Sequence, residues 1–155
     1  MPQAGTVLSG PLQTGTKKDA DTNGPSNLGL CVLSQQVTLT QNGASNVTGQ
    51  IVLPVGSRIV QIYADTTVAW NSGTSDTLSV GATAGGTDYA SSISVAVAGR
   101  AAITYTAAEL VAMQSVGSNT SVYATVTPVG TAATTGSTTV TIEYVQTVQP
   151  TAGIV

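Results

Sequence analysis

The chain has 155 residues, 4 Lys+Arg against 7 Asp+Glu and no histidine, so its formal net charge is −3 and only 7% of its residues are charged. A length of this order suits one compact domain. The charge balance excludes affinity for nucleic acid or an anionic membrane surface, both of which need clustered Lys and Arg. Without histidine the commonest general base and metal ligand are missing, and one cysteine, Cys31, gives neither a zinc cluster nor an intramolecular disulfide. No 18-residue apolar run occurs, and Met1–Gly5 lack the basic and apolar regions of a signal peptide, so the reading is a chain made without one. With 26 Thr, 20 Val, 1 Trp and no Phe, the apolar content is β-branched rather than aromatic. Such residues lose χ1 freedom in helices and fit a pleated, half-buried sheet, which predicts an all-β domain.

Residues 1–29 are rich in Gly, Pro, Thr and Asn and too poor in apolar residues for a core, and are predicted to form an extended N-terminal arm. The β-sandwich domain is expected over residues 30–147, with a C-terminal tail over 148–155. From Leu30, the row Cys31, Leu33, Gln35, Val37, Leu39 alternates with Val32, Ser34, Gln36, Thr38 as in a half-buried strand, and this alternation predicts a buried, inert Cys31. A turn at Gln41-Asn42-Gly43 leads to a second row, Val47, Gly49, Ile51, Leu53, closed by Pro54 and Gly56. The third strand, Ser57 to about Asp65, buries one of two rows, and Val60, Ile62, Ala64 is preferred over Ile59, Gln61, Tyr63. Val68–Asp76 reads as a loop tip carrying Trp70, and Thr77–Ala82 as a strand with Leu78 and Val80 inward. Ala84–Asp88 is a loop, and Ser91–Val97 and Ala101–Tyr105 are strand-like.

Thr106-Ala107-Ala108-Glu109 is a capping box, predicting a helix of about two to three turns through Leu110 and Met113 that stops at Gly117. Val122, Ala124 and Val126 define a strand ended by Pro128 and Gly130. Thr131–Ser137 is expected to be a hairpin loop, and Thr138–Thr147 the last strand, with Val140, Ile142 and Tyr144 on one face. About eight short strands and one short helix, joined by Gly-rich turns, suit a two-sheet β-sandwich, with a jelly roll among its topologies.

Chemistry is sparse. Glu109 is accounted for by its cap, Glu143 lies on a polar strand face, and Asp76 and Asp88 are ordinary turn formers in loops, so no carboxylate pair is expected to converge. There is no calcium-loop spacing, and Gly85-Gly86 is not followed by the Lys-Ser/Thr of a phosphate loop. No catalytic, cofactor-binding or metal-binding residue is predicted, and the chain is read as a non-enzyme. Trp70 can stack on a sugar, anchor a partner protein, or fold back on the sandwich edge.

The segments Val32-Leu33-Ser34-Gln35 and Thr38-Leu39-Thr40, then Leu53-Pro54-Val55-Gly56-Ser57-Arg58-Ile59, then Trp70 through Gly81, carry a resemblance that continues in Val126-Thr127-Pro128-Val129-Gly130 and Thr139-Val140-Thr141-Ile142-Glu143-Tyr144. Together they resemble the head decoration, or capsid cement, proteins of tailed bacteriophages. The resemblance implies a β-sandwich on the exterior of the virion capsid, made in the host cytoplasm, contacting the major capsid protein, acting as a homo-oligomer with a trimer the suspected form, and needing no cofactor. Candidate contact residues are Val7, Leu8, Pro11, Leu12, Lys17 and Lys18 of the arm, together with Trp70. The competing expectation is a tail- or fibre-associated module whose Trp70 loop and Ala84–Tyr89 loop form one glycan-recognition tip.

Overall fold

A computed structural model describes residues 31–118 and 121–146. Eight strands and one helix follow in the order β1 (Val32–Thr40), β2 (Val47–Val52), β3 (Arg58–Val68), β4 (Ser75–Gly81), β5 (Ala90–Ser94), β6 (Gly99–Arg100), α1 (Ala107–Ala112), β7 (Ser121–Val129) and β8 (Ser137–Val145). They form two four-stranded sheets of order β1-β8-β3-β6 and β2-β7-β4-β5. Every pairing is antiparallel. The pairs β1·β8, β2·β7, β3·β6 and β4·β5 are those of one long hairpin, out through β1–β4 and back through β5–β8, whose successive pairs alternate between the sheets. This order is a jelly roll, so the all-β sandwich is confirmed and its topology decided.

The core is the set of inward rows. Leu39, Ile51, Leu53, Leu78, Val80, Val122, Ala124, Val126, Val140, Ile142 and Tyr144 are all buried, as strand alternation requires. β3 departs from its predicted row. Ile59 and Gln61 pair with the adjacent residues Tyr144 and Glu143, so Val60 is an extra residue in a β-bulge. The bulge shifts the phase: Ile59 faces inward before it, Ile62, Ala64 and Thr66 after it, and Val60 is left 43% exposed.

Other differences have equally local causes. Ala101–Tyr105 forms no strand, because the β3 edge is met there by a side chain. Ala101 N donates to Ala64 O (2.9 Å), after which the Tyr105 phenol accepts from Ile62 N (3.2 Å) and donates to Ile62 O (3.3 Å). The capping box is present, with Glu109 N donating to Thr106 Oγ1 (3.2 Å) and Thr106 N to Glu109 Oε2 (2.6 Å). The helix nevertheless runs for only 6 residues. Beyond it, Met113 O accepts from Ile59 N, Val116 N donates to Ser57 O, and Gly117 O accepts from Gly56 N, each at 2.9 Å, so the β2–β3 connection takes backbone groups that a longer helix would have used.

β7 passes through Pro128 instead of ending there. On its β4 side Pro128 pairs with Asp76, while the β2 ladder on the other side extends only as far as Val126, so no neighbouring strand needs the missing N–H. Residues 130–136 make no hairpin, since β7 and β8 belong to different sheets. Cys31 is exposed rather than buried: it lies one residue before Val32, where the β1·β8 ladder begins.

Replacing Thr106 with Ala removes the acceptor for Glu109 N and is expected to cost about 0.5–2 kcal/mol in urea denaturation. An unchanged midpoint would show that α1 does not depend on this cap.

Candidate interaction surface

Of the residues predicted to make contacts, Val7, Leu8, Pro11, Leu12, Lys17 and Lys18 lie outside the described residues, and Trp70 is buried. The Trp70 side chain is only 2% exposed and closes one end of the sandwich. Its Nε1 donates to Thr138 Oγ1 (2.9 Å), which also bonds Thr66 Oγ1 (3.0 Å), and its backbone N donates to Val95 O (3.2 Å). Gly136 lies against the indole so closely that a Cβ there would collide with the ring. Asn71 completes the closure by accepting from Thr134 N (2.8 Å) and Thr135 N (3.0 Å) through Oδ1, and Gly73 N donates to Thr131 O (3.3 Å). Trp70 therefore serves its own core, and its ring is not presented at the surface as a stacking or anchoring platform. The signal was present in the sequence: Thr138 shares the inward row of Val140 and Ile142, and a buried hydroxyl needs a partner.

The proposed recognition tip is also taken apart. The 69–74 loop enters β4 and the 82–89 loop leaves it, which puts them at opposite ends of a 7-residue strand. At ~3.3 Å per residue, roughly 20 Å separates them.

The carboxylates are mostly engaged within the domain. Asp65 forms a bidentate pair with Arg100 (2.8 Å to each oxygen), and hydrogen bonding to that guanidinium holds its carboxyl below the usual range. Arg100 also lies over the Tyr63 ring, 4.4 Å from its centroid. Asp76 is buried beside Leu78 and Val80 on the inward row of β4, with Oδ2 accepting from Ser72 N (3.0 Å) and Oδ1 without a hydrogen-bond partner. Asp88 and Glu109 do share a setting that spacing concealed: a cleft of about 350 Å³ lined also by Thr87, Ser91, Thr106 and two alanines. Both carboxylates there are already occupied. Asp88 Oδ2 accepts from Ala82 N (2.9 Å), and Glu109 is held below its ordinary pKa first by the Thr106 N–H and further by the Ser91 and Thr106 hydroxyls. Burial, reinforced by nearby Asp88, pushes the Tyr89 phenol up. Among the described residues no group of three or more His, Cys, Asp or Glu is arranged to hold a metal ion.

One of the two sheets presents a neutral face outward. In β2, β7, β4 and β5 the sole charged residue is Asp76, and it points inward. The outer face is built from Thr48, Gln50, Thr77, Ser79, Tyr123 and Thr127, with Thr48 and Thr125 hydroxyls bonded across strands (3.0 Å) and Gln50 Nε2 donating to Ser121 Oγ (2.8 Å). The other sheet repeats the hydroxyl pairing at Thr38 and Thr139 (3.0 Å) but also carries charge: the Asp65–Arg100 pair, the exposed Arg58, and Glu143, whose Oε2 accepts from the Tyr63 hydroxyl (3.5 Å).

No family model matches this chain, and no curated protein matches it. Among solved structures, a chain of the cyanophage Pam1 capsid asymmetric unit is similar, with 24% identity over 83% of this chain and 95% of that one, at a TM-score of 0.49.

Two outcomes follow from this geometry. Trp70→Ala is expected to destabilise the domain by about 3–5 kcal/mol in denaturant titration, a loss typical of emptying a buried indole site. Glu109→Gln tests the buried carboxylate. Because its folded pKa is lowered, the ionised group stabilises the fold above its ordinary value of 4.5, and that contribution is lost as pH falls through the lower folded value. The Tm deficit of Glu109→Gln is therefore expected at neutral pH and should narrow on acidification below the ordinary value; a deficit constant across that range would contradict it.

Proposed function

We propose that this protein is a structural component of a bacteriophage head, seated on the outside of the capsid as a decoration or cement subunit and catalysing nothing. The observation that carries the reading is the β2-β7-β4-β5 sheet, whose strands bear no outward charge. Soluble domains ordinarily keep about 25–35% of their surface residues charged for solubility. A neutral Thr/Ser/Gln face suits a surface covered by neighbours in an assembly, or one facing the outside and kept inert. The jelly roll occurs in viral capsid and lectin domains alike, so the fold is compatible with the reading without deciding it. The glycan-tip alternative has lost its aromatic platform, since Trp70 is in the core and the second loop is at the far end.

In this reading the low positive charge keeps the subunit away from packaged DNA, and the expected arm of residues 1–29, which lies outside the described residues, supplies main-chain hydrogen bonds to an exposed sheet edge of the capsid protein. Repetition over a symmetric shell turns weak individual contacts into substantial stabilisation.

Co-sedimentation of the full chain with heads lacking it tests the proposal. The expected result is saturable binding with a copy number that scales with the number of capsid subunits, and a raised disruption temperature of the loaded heads. Absence of binding, or saturation at a few copies per particle, would overturn it.

A further inference from the structure

The four sheet edges are unequal. β6 spans 2 residues, and the Tyr105 phenol takes over the β3 edge beyond it. β5 spans 5 residues and is interrupted by a register shift against β4 and by Ser92, a non-glycine residue at φ +55°. β2 spans 6 residues with no charge, no proline and no register break against β7, and β1, the longest of the four, has none of these guards either. Its 9 residues pair with β8 without a register break, and they include no charge, no proline and no bulge. Long, flat, uncharged edges are what natural β-proteins avoid unless another strand covers them. The core is also open along this edge: Leu33, Gln35 and Val37 point to the inner face but are only half-buried, whereas Ile142 and Val140, paired with Gln35 and Val37 on β8, are fully buried.

We propose that the β1 edge is a self-association surface on which a second copy of this chain pairs antiparallel, β1 against β1, about a two-fold axis at Gln36. The sequence of the strand is complementary to itself in this register. Leu33 meets Leu39 and Gln35 meets Val37 on the inner face; Val32 meets Thr40, Ser34 meets Thr38, and the two Gln36 side chains face each other on the outer one. No like charges oppose each other, and the facing amides can exchange hydrogen bonds. β2 lies beneath β1, with Gly49 against Val37 and Leu39. A two-fold axis perpendicular to the sheets therefore brings β2, also free of charge and proline, towards its counterpart in the second layer. The interface is isologous and closes as a dimer, in contrast to the trimer that the family resemblance implies. It does not depend on the capsid reading, because it concerns the free protein.

Sedimentation velocity of the full chain with a pair of charge variants provides the test. Gln36 is exposed on the outer face, so Gln36→Lys and Gln36→Glu alter no buried contact. Wild type is expected to sediment at twice the 15.4 kDa chain mass. Each variant alone should dimerise more weakly, by up to about fivefold through the one facing like-charge pair, and an equimolar mixture of the two should recover dimerisation. A monomeric wild type, as would result if the chain's own N-terminal segment occupied the edge, or a trimeric one overturns the proposal. So does a dimer indifferent to Gln36→Lys, or a mixture that fails to reassociate.

Discussion

Burial of β-branched side chains between two sheets is the constraint on which the rest of this structure depends. With no Phe and one Trp in the chain, the core is filled by Val, Ile, Leu and Ala, whose short side chains reach a common centre only when two sheets lie face to face. A core of this kind closes poorly at its ends, where strands give way to loops and small side chains leave gaps. At one end the gap is filled by Trp70, fixed by Thr138 and covered by Gly136. At the other, the α1 segment lays Met113 and Val116 over the sandwich and is tied by backbone hydrogen bonds to Gly56, Ser57 and Ile59. The buried indole and the short helix are two solutions to one packing problem.

The same economy of chemistry extends to the polar groups. Cross-strand hydroxyl pairs at Thr38/Thr139, Thr48/Thr125 and Thr66/Thr138 satisfy one another, so threonine serves both the pleat and the hydrogen-bond requirement. Among the described residues several charges are spent within the fold, Arg100 on Asp65 and Tyr63 and Glu109 on its helix cap, while Arg58 is exposed. The outer face of the β2-β7-β4-β5 sheet accordingly offers hydroxyls, amides and shape rather than charge.

Much of this was legible in the residues. Alternation placed the inward rows of β1, β2, β4, β7 and β8 correctly, and the capping box located the start of α1, because both signals are local and set by backbone periodicity. The failures share a different origin. Val60 turned outward because a bulge against Tyr144 and Glu143 shifted the phase, and no rule of alternation contains the partner strand. Ala101–Tyr105 has a strand's pattern without a strand's neighbour, since the Tyr105 phenol holds the edge it would have paired with. The helix stops early where another segment of chain takes its carbonyl groups. Trp70 was ambiguous for the same reason: a tryptophan among polar loop residues shows its solvent exposure only once the loop 130–136 is placed over it.

By itself, the sequence determined the all-β class, the inward rows, the capped helix start and the poverty of charge, all of which follow from side-chain stiffness, period-two alternation and composition. Only the tertiary structure decided the jelly-roll order, the removal of Trp70 from the surface, the cleft shared by Asp88 and Glu109, and, among the described residues, that β1 and β2 form the edges without guards. These depend on which strands become neighbours. Contacts between residues as far apart as Gln35 and Tyr144 are settled by the packing of the whole chain and leave no period in the local sequence.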